Sequence, residues 1–271
     1  MTARVLHVSD LHFGRHESPE AQQDVARLVD ELAPELVLAS GDLTHRGRRD
    51  QHERAAAFLR SLGPPLLAVP GNHDVPYTLP ARFTSPWAEF ERLWETVEPV
   101  HASDRLHVVG INSVRPWRQQ SGGLGGGRLA RASARLRTGA HGALRIAVLH
   151  HHLLGAPWRA ARKRPVAHRG LVLVELAAAG AELIVGGHIH QAAAAERREF
   201  LATGGDGAGP VVVATAPGLG RPRPGRSGEA QGVQVYEATA ETLRVITYTW
   251  REGGFAPAAT REYPRAATSK S

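Results

Sequence analysis

Short apolar runs rich in Val, Ile and Leu recur through the first two thirds of the chain, separated by longer segments whose apolar positions return at helical spacing. The pattern predicts strands at RVLHVS (4–9), ELVLAS (35–40), PLLAVP (65–70), LHVVGI (106–111), RIAVLH (145–150) and ELIVGG (182–187). It predicts helices over 18–32, 49–62, 85–97, 128–136 and 170–179. The first carries Ser18 as N-cap, Pro19 at the first helical position and Glu20 in the first turn, all features that suit a helix start. Beyond Gln191 the helical pattern gives out, and PVVVATA (210–216), GVQVYEA (232–238) and TLRVITYTW (242–250) read as paired strands of an antiparallel or mixed sheet. GGLGGG (122–127) and RPRPGRSG (221–228) read as loops by composition, and no internal repeat is evident. The expected class is α/β, ending in β.

Composition narrows the chemistry. At 271 residues, one large domain can bury a sizeable core, and we expect a single domain over 1–262 followed by a flexible tail over 263–271. The chain has no Cys, which excludes disulfides and any metal site built on thiolate, so a metal must be held by nitrogen and oxygen. A hydrophobic content of 42% with 22% charged residues argues for a folded chain rather than a disordered one. No apolar run approaches the roughly 18 to 20 residues of a membrane span. The first predicted strand begins almost at once, so we expect no cleavable leader and a cytoplasmic location. The formal net charge of +7 is unevenly spread: no acidic residue lies between Asp104 and Glu175, a stretch holding 13 of the 33 Lys and Arg residues.

Five short blocks carry the candidate chemistry: SDLH (9–12), SGDLTH (40–45), PGNHD (70–74), LHHH (149–152) and GGHIH (186–190). Each falls at the C-terminal end of a predicted strand, and in α/β sheets such loops converge on one ligand site. Asp10, His12, Asp42, Asn72, His150, His188 and His190 are seven candidate ligands, more than one ion takes. If Asp42 is shared, one ion takes Asp10, His12, Asp42 and His190, and a second takes Asp42, Asn72, His150 and His188. His188 and His190, two apart, would project the same way from an extended segment. The mixed carboxylate, imidazole and amide donor set suits two divalent or mixed-valence ions, with Mn, Fe or Zn preferred to Ca or Cu(I). A pair of ions roughly 3.5 to 4 Å apart favours hydrolysis of a phosphate ester.

The order D-x-H, G-D, G-N-H-D, a strand-terminal His and G-H-x-H, spanning residues 10 to 190, resembles the calcineurin-like metallophosphoesterase superfamily. Each block alone is a weak signal; five in this order are specific. The resemblance implies a four-layer αββα sandwich with two mixed β-sheets and a dinuclear metal site at the C-terminal ends of the strands, with the ligand division given above. It implies in-line attack by a metal-bridging hydroxide, and it makes His73 a catalytic group that protonates or orients the leaving alcohol rather than a ligand. It selects His150 from the HHH run, with His151 supporting from behind and His152 left to a loop. Three residues after Asp42, protein phosphatases of this superfamily place an acid and purple acid phosphatases a ligating Tyr, whereas His45 stands here. The wording GDLT, GNHD, LHHHL and GGHIHQ is most similar to bacterial class III cyclic-nucleotide phosphodiesterases and their glycerophosphodiester-cleaving relatives. The implied substrate is a small phosphodiester, with a 3′,5′-cyclic nucleotide favoured, and Asp74 or His45 is expected to orient His73.

Rival readings have their own signals. The acid-free basic stretch would suit nucleic acid and a nuclease with steep salt dependence. The Arg-rich segment 159–169 would suit an anionic membrane surface and a peripheral hydrolase of a lipid-linked nucleotide. A phosphomonoesterase would use the same cage, and a non-catalytic metal-binding regulator is disfavoured by the intact His73. The bland alternative for the basic stretch is a solvated Arg face in a chain with 31 Arg and 2 Lys. His7 and His107, within strands, read as sheet-face residues. GGLGGG lacks the G-K-[ST] of a phosphate loop and reads as a lid or linker. Trp87, Trp94, Trp117 and Trp158 read as packing residues, with stacking on a nucleobase the alternative for Trp117 and Trp158 in their basic loops.

Overall fold

The computed structural model describes residues 2–118, 120–154, 163–200, 210–222 and 229–265. Two six-stranded sheets lie face to face. The first contains β1 (Ala3–Val8), β2 (Leu36–Ala39), β3 (Leu66–Ala68), β10 (Gly232–Ala238), β11 (Thr242–Arg251) and β12 (Gly254–Pro264), in the order β12-β11-β10-β1-β2-β3. The second contains β4 (Val100–Ala102), β5 (Leu106–Gly110), β6 (Leu144–Val148), β7 (Leu183–Gly186), β8 (Ala193–Glu196) and β9 (Val212–Thr215), in the order β4-β5-β6-β7-β9-β8. Both sheets are mixed: β1-β2-β3 and β5-β6-β7-β9 run parallel, and the remaining neighbours pair antiparallel.

The apolar runs are continuous because each central strand is covered on both faces, as parallel sheets require. Val5 and Leu38 of the first sheet meet Ile146, Val148 and Leu183 of the second in the inter-sheet core. Their neighbours Leu6 and Val37 face outward onto α1 (Pro19–Leu32) and α2 (Arg49–Ser61). Ala147 and Ile184 face α5 (Gly126–Arg137) and α6 (Arg169–Ala178) on the other side. The result is the expected αββα order.

Several local expectations need correction. Ser18 sits at the N-cap of α1, but its hydroxyl meets Glu20 rather than a backbone N–H. The helix expected over 85–97 is limited to α4 (Ala88–Trp94), preceded by the short α3 (Ala81–Thr84). The edge strands β4 and β8 and the exposed β12 were not anticipated, because Ala- and polar-rich edge segments lack the apolar signal of the central strands. Residues 263–265, expected in a tail, are placed in the fold: Tyr263 is buried in β12 opposite Leu243, and Arg265 pairs with Glu182 at 2.8 Å. GGLGGG is not a plain linker either, since Gly123 bridges to Ala167 and Gly126 opens α5. Most of the 221–228 loop, Trp158 and residues 159–162 lie outside the described residues.

His7 and His107 are sheet-face residues as read. His7, fully buried, holds the Tyr236 hydroxyl at 2.7 Å and the Ser40 hydroxyl at 2.8 Å. Burial depresses its imidazole to about 3, so the folded chain keeps it neutral. The unfolded chain binds that proton near its ordinary value, so His7 makes stability fall as pH drops from about 6.5 towards 3, at up to about 1.4 kcal/mol per pH unit. Urea midpoints measured across that range should fall more steeply in the native chain than in His7→Gln.

Candidate metal centre

All five blocks leave the C-terminal ends of parallel strands: β1, β2, β3, β6 and β7. The seven expected ligands come together there in two abutting groups. Asp10, His12 and His190 present ligand atoms within 4.8 Å of one another, as do Asp42, His150 and His188. Asp42 lies between them, with Oδ2 at 3.9 Å from His12 Nε2 and Oδ1 at 3.4 Å from His150 Nε2. Asn72 joins the second group through Oδ1, at 3.2 Å from His150 Nε2.

The backbone is bent to achieve this. Asp10, His12, Asp42, His188 and His190 all have φ between 51° and 73°, a region that non-glycine residues seldom occupy. Such strain persists where the surroundings over-determine it, and its concentration on five of seven ligand candidates marks a functional site. The extended segment expected for His188 and His190 is therefore replaced by left-handed turns. His188 turns towards His150, at 3.1 Å, and His190 towards Asp10, at 3.1 Å, so the pair divides between the groups. Two glycines of the motifs are explained by crowding. A Cβ on Gly71 would lie 2.1 Å from Asp42 N, and one on Gly187 would lie 1.8 Å from Ser9 Oγ.

The donor set fits cations. Asp10 Oδ1, Asp42 Oδ2 and His188 Nε2 are buried without a hydrogen-bond partner among the described residues. Imidazole nitrogens also face one another, His12 Nε2 to His190 Nε2 at 3.3 Å and His150 Nε2 to His188 Nδ1 at 3.1 Å. Convergent lone pairs around buried carboxylates are a poor arrangement alone and a good one around positive charge. Burial pushes His12 and His188 well below the usual imidazole range, leaving them in the neutral, ligating form. Burial would raise the Asp10 and Asp42 carboxyls, but His190 beside Asp10 and His150 beside Asp42 outweigh it and hold both below their ordinary values. Burial likewise disfavours charge on His150, yet the Asp42 carboxylate raises it to about 9. A cation between them would take over the imidazolium's role as counter-charge.

Supporting groups fix the orientations. His150 Nδ1 donates to the Ser40 carbonyl at 2.8 Å, which turns Nε2 inward. Ser9 Oγ and the His188 N–H both hold Asp10 Oδ2, at 2.7 and 2.9 Å. His151 is buried with Nδ1 at 2.9 Å from Ser113 Oγ, and its ring lies 4.6 Å from that of His188. His152 lies in the loop after β6, as expected, and there it is buried and stacks on His188 at 5.8 Å.

Of the two residues expected to orient His73, His45 hydrogen-bonds it and Asp74 does not. The Asp74 carboxylate instead accepts from the N–H groups of Leu43, Thr44 and Gly71, tying the GD loop to the GN loop. His45 contributes its backbone carbonyl, which accepts from His73 Nδ1 at 2.7 Å, while its ring stacks on His73 at 5.6 Å. Tyr77, which the sequence reading passed over, also reaches His73 Nδ1, at 3.0 Å. No pattern in the sequence marked it, because it lies beyond the motif in a loop. Trp117 is exposed, whereas Trp94 packs against the first sheet's outer core.

Part of the basic stretch is neutralised by acids outside it. Arg128, Arg131 and Arg135 of α5 gather around Glu98 at 3.8, 3.3 and 4.0 Å, and Arg105 pairs with Glu35 at 3.0 Å. These four therefore have acidic partners from outside the stretch.

Two abutting carboxylate–imidazole groups at the strand ends of a two-sheet sandwich define a class, the metal-dependent phosphoesterases. A model of the calcineurin-like phosphoesterase family matches residues 3–192, and the chain belongs to that family. A Synechococcus protein described as a probable cyclic nucleotide phosphodiesterase is 29% identical over 167 residues, 56% of this chain and 58% of the relative. The UDP-2,3-diacylglucosamine pyrophosphatase LpxG of Chlamydia trachomatis is 38% identical over 74 residues, 26% of this chain and 22% of the relative. This chain thus spans less than two thirds of either. Among solved structures, the purple acid phosphatase PPD1 of yellow lupin matches with a TM-score of 0.72 at 11% identity, over 97% of this chain and 53% of that one. The fold is therefore shared well beyond recognisable sequence similarity. Among the described residues, no helix is long and apolar enough to cross a membrane.

Proposed function

We propose that this chain is a phosphodiesterase acting on a small phosphodiester, with a 3′,5′-cyclic nucleotide the favoured substrate. The observation that carries it is the pair of abutting groups with Asp42 between them, and His73 beside them engaged through Nδ1. Asp10, His12, Asp42 and His190 would hold one metal ion, and Asp42, Asn72, His150 and His188 the other, with Mn, Fe or Zn suiting these donors. Two such ions supply an activated water and neutralise charge on the phosphoryl oxygens.

The chain's own residues do the rest. Asn72 orients a phosphoryl oxygen through its amide. The carbonyl at Nδ1 leaves Nε2 of His73 to deliver a proton to the departing alcohol, which otherwise leaves slowly as an alkoxide. Similarity to the probable cyclic nucleotide phosphodiesterase supports the substrate class. A panel of substrates with protein loaded with Mn, Fe or Zn tests it: a chromogenic diester, its monoester, cyclic nucleotides, glycerophosphodiesters and single-stranded DNA. Diester turnover should exceed monoester turnover, and a cyclic nucleotide should be the best natural diester. Monoester preference in every metal would overturn the proposal.

A further inference from the structure

His73 is held by more than one oxygen. Its Nδ1 lies 2.7 Å from the His45 carbonyl and 3.0 Å from the Tyr77 hydroxyl. A carbonyl can only accept, so Nδ1 carries the hydrogen, and the tyrosine oxygen accepts a second share of the same N–H. The two rings lie 5.7 Å apart at a tilt of 33°. Tyr77 stands on an exposed segment, 37% accessible, where a phenol with no neighbours would sample many positions. It does have a neighbour: the Arg82 guanidinium carbon sits 5.5 Å from the ring centroid. Arg82 is itself buried, donating from Nε to the Pro116 carbonyl at 2.6 Å and from a terminal nitrogen to the Pro76 carbonyl at 3.1 Å. A line of contacts therefore runs from the loop after β5, through Arg82 and Tyr77, to His73.

We infer that Tyr77, steadied by Arg82, is a positioning residue for His73, holding the imidazole so that Nε2 meets the leaving oxygen. The inference rests on the reading of His73 as proton donor. As the phosphorus–oxygen bond breaks, the proton on Nε2 passes to the departing oxygen, and the imidazolium becomes an imidazole that keeps its Nδ1 hydrogen on His45 and Tyr77. The contact therefore matters most when the leaving group most needs that proton. A chain that uses Tyr77 this way couples the loops carrying Tyr77 and Pro116 to the chemical step, although neither residue touches the two ligand groups.

Tyr77→Phe tests the idea, since it keeps the ring over Arg82 and removes only the oxygen. Two diesters are compared, one releasing 4-nitrophenolate and one releasing an aliphatic alcohol. For the aliphatic ester kcat should fall about fivefold, equivalent to about 1 kcal/mol, with KM changed less than about twofold. The loss with the nitrophenyl ester should be distinctly smaller, and bound metal should be unchanged. Tyr77→Leu, which also removes the ring, should show the same selectivity with a larger loss. Equal losses on both esters, or no loss on either, would overturn the inference. His73→Ala in the same panel separates the two levels: if its effect is also indifferent to leaving group, the reading of His73 fails and the inference falls with it. If His73→Ala is selective and Tyr77→Phe is not, only the role of Tyr77 is wrong.

Discussion

Asp42→Asn should empty the centre and abolish diester turnover while leaving the fold intact. The carboxylate is placed between the two groups, with an oxygen turned towards each. The amide keeps its shape and can still accept from the His73 N–H through the oxygen that now does so at 2.8 Å. What it loses is the negative charge that two cations would share. Substituting groups one step behind a ligand typically weakens metal affinity by about 10- to 100-fold, so removing a shared ligand's charge should exceed about 100-fold at both positions. Elemental analysis after dialysis should find well under one equivalent of metal, where the native chain holds close to two. Stability without metal should fall, because His150, raised to about 9 by this same carboxylate, sheds its proton when the charge is gone and the stabilisation carried by that raised value goes with it. Retention of two equivalents by Asp42→Asn would remove Asp42 from the shared position.

How much of this was legible in the sequence follows from which physics writes itself into local pattern. Central strands such as β1, β6 and β7 are buried on both faces, so their apolar runs were readable within a residue or two. Edge strands β4 and β8 bury one side or less, and their composition carried no comparable signal. The gathering of the candidate ligands was legible because the motif residues sit at strand ends, where topology brings distant blocks together. The way in which they meet was not: left-handed backbone at His188 and His190 turns neighbours that an extended chain would align, and nothing in G-H-x-H announces it. Asp74 illustrates the same gap. A carboxylate next to His73 invites the role of its partner, yet it accepts from backbone N–H groups of the GD loop and from that of Gly71, which packs against Asp42. His45 contributes a main-chain carbonyl, a group that every residue carries and that no sequence motif can encode.

His73→Ala should separate catalysis from metal binding. The imidazole is outside both ligand groups centred on Asp10 and Asp42, and its ring packs edge-on to His12 at 4.9 Å without supplying an atom to either. Metal content should therefore stay at the native level. Turnover of a diester with an alkoxide leaving group should fall by about 10²- to 10⁴-fold, the usual range for loss of a general acid. An ester releasing 4-nitrophenolate needs little proton transfer and should lose far less. That difference is the informative quantity, because a change in the cage would depress both esters together, whereas loss of a proton donor scales with leaving-group basicity. KM should move little if His73 acts at the departing oxygen, since that interaction develops only as the bond breaks. A uniform loss on both esters, or a fall in bound metal, would instead place His73 among the ligands, with His12 and His45 as partners, since ring nitrogens of these three also lie within 4.8 Å of one another.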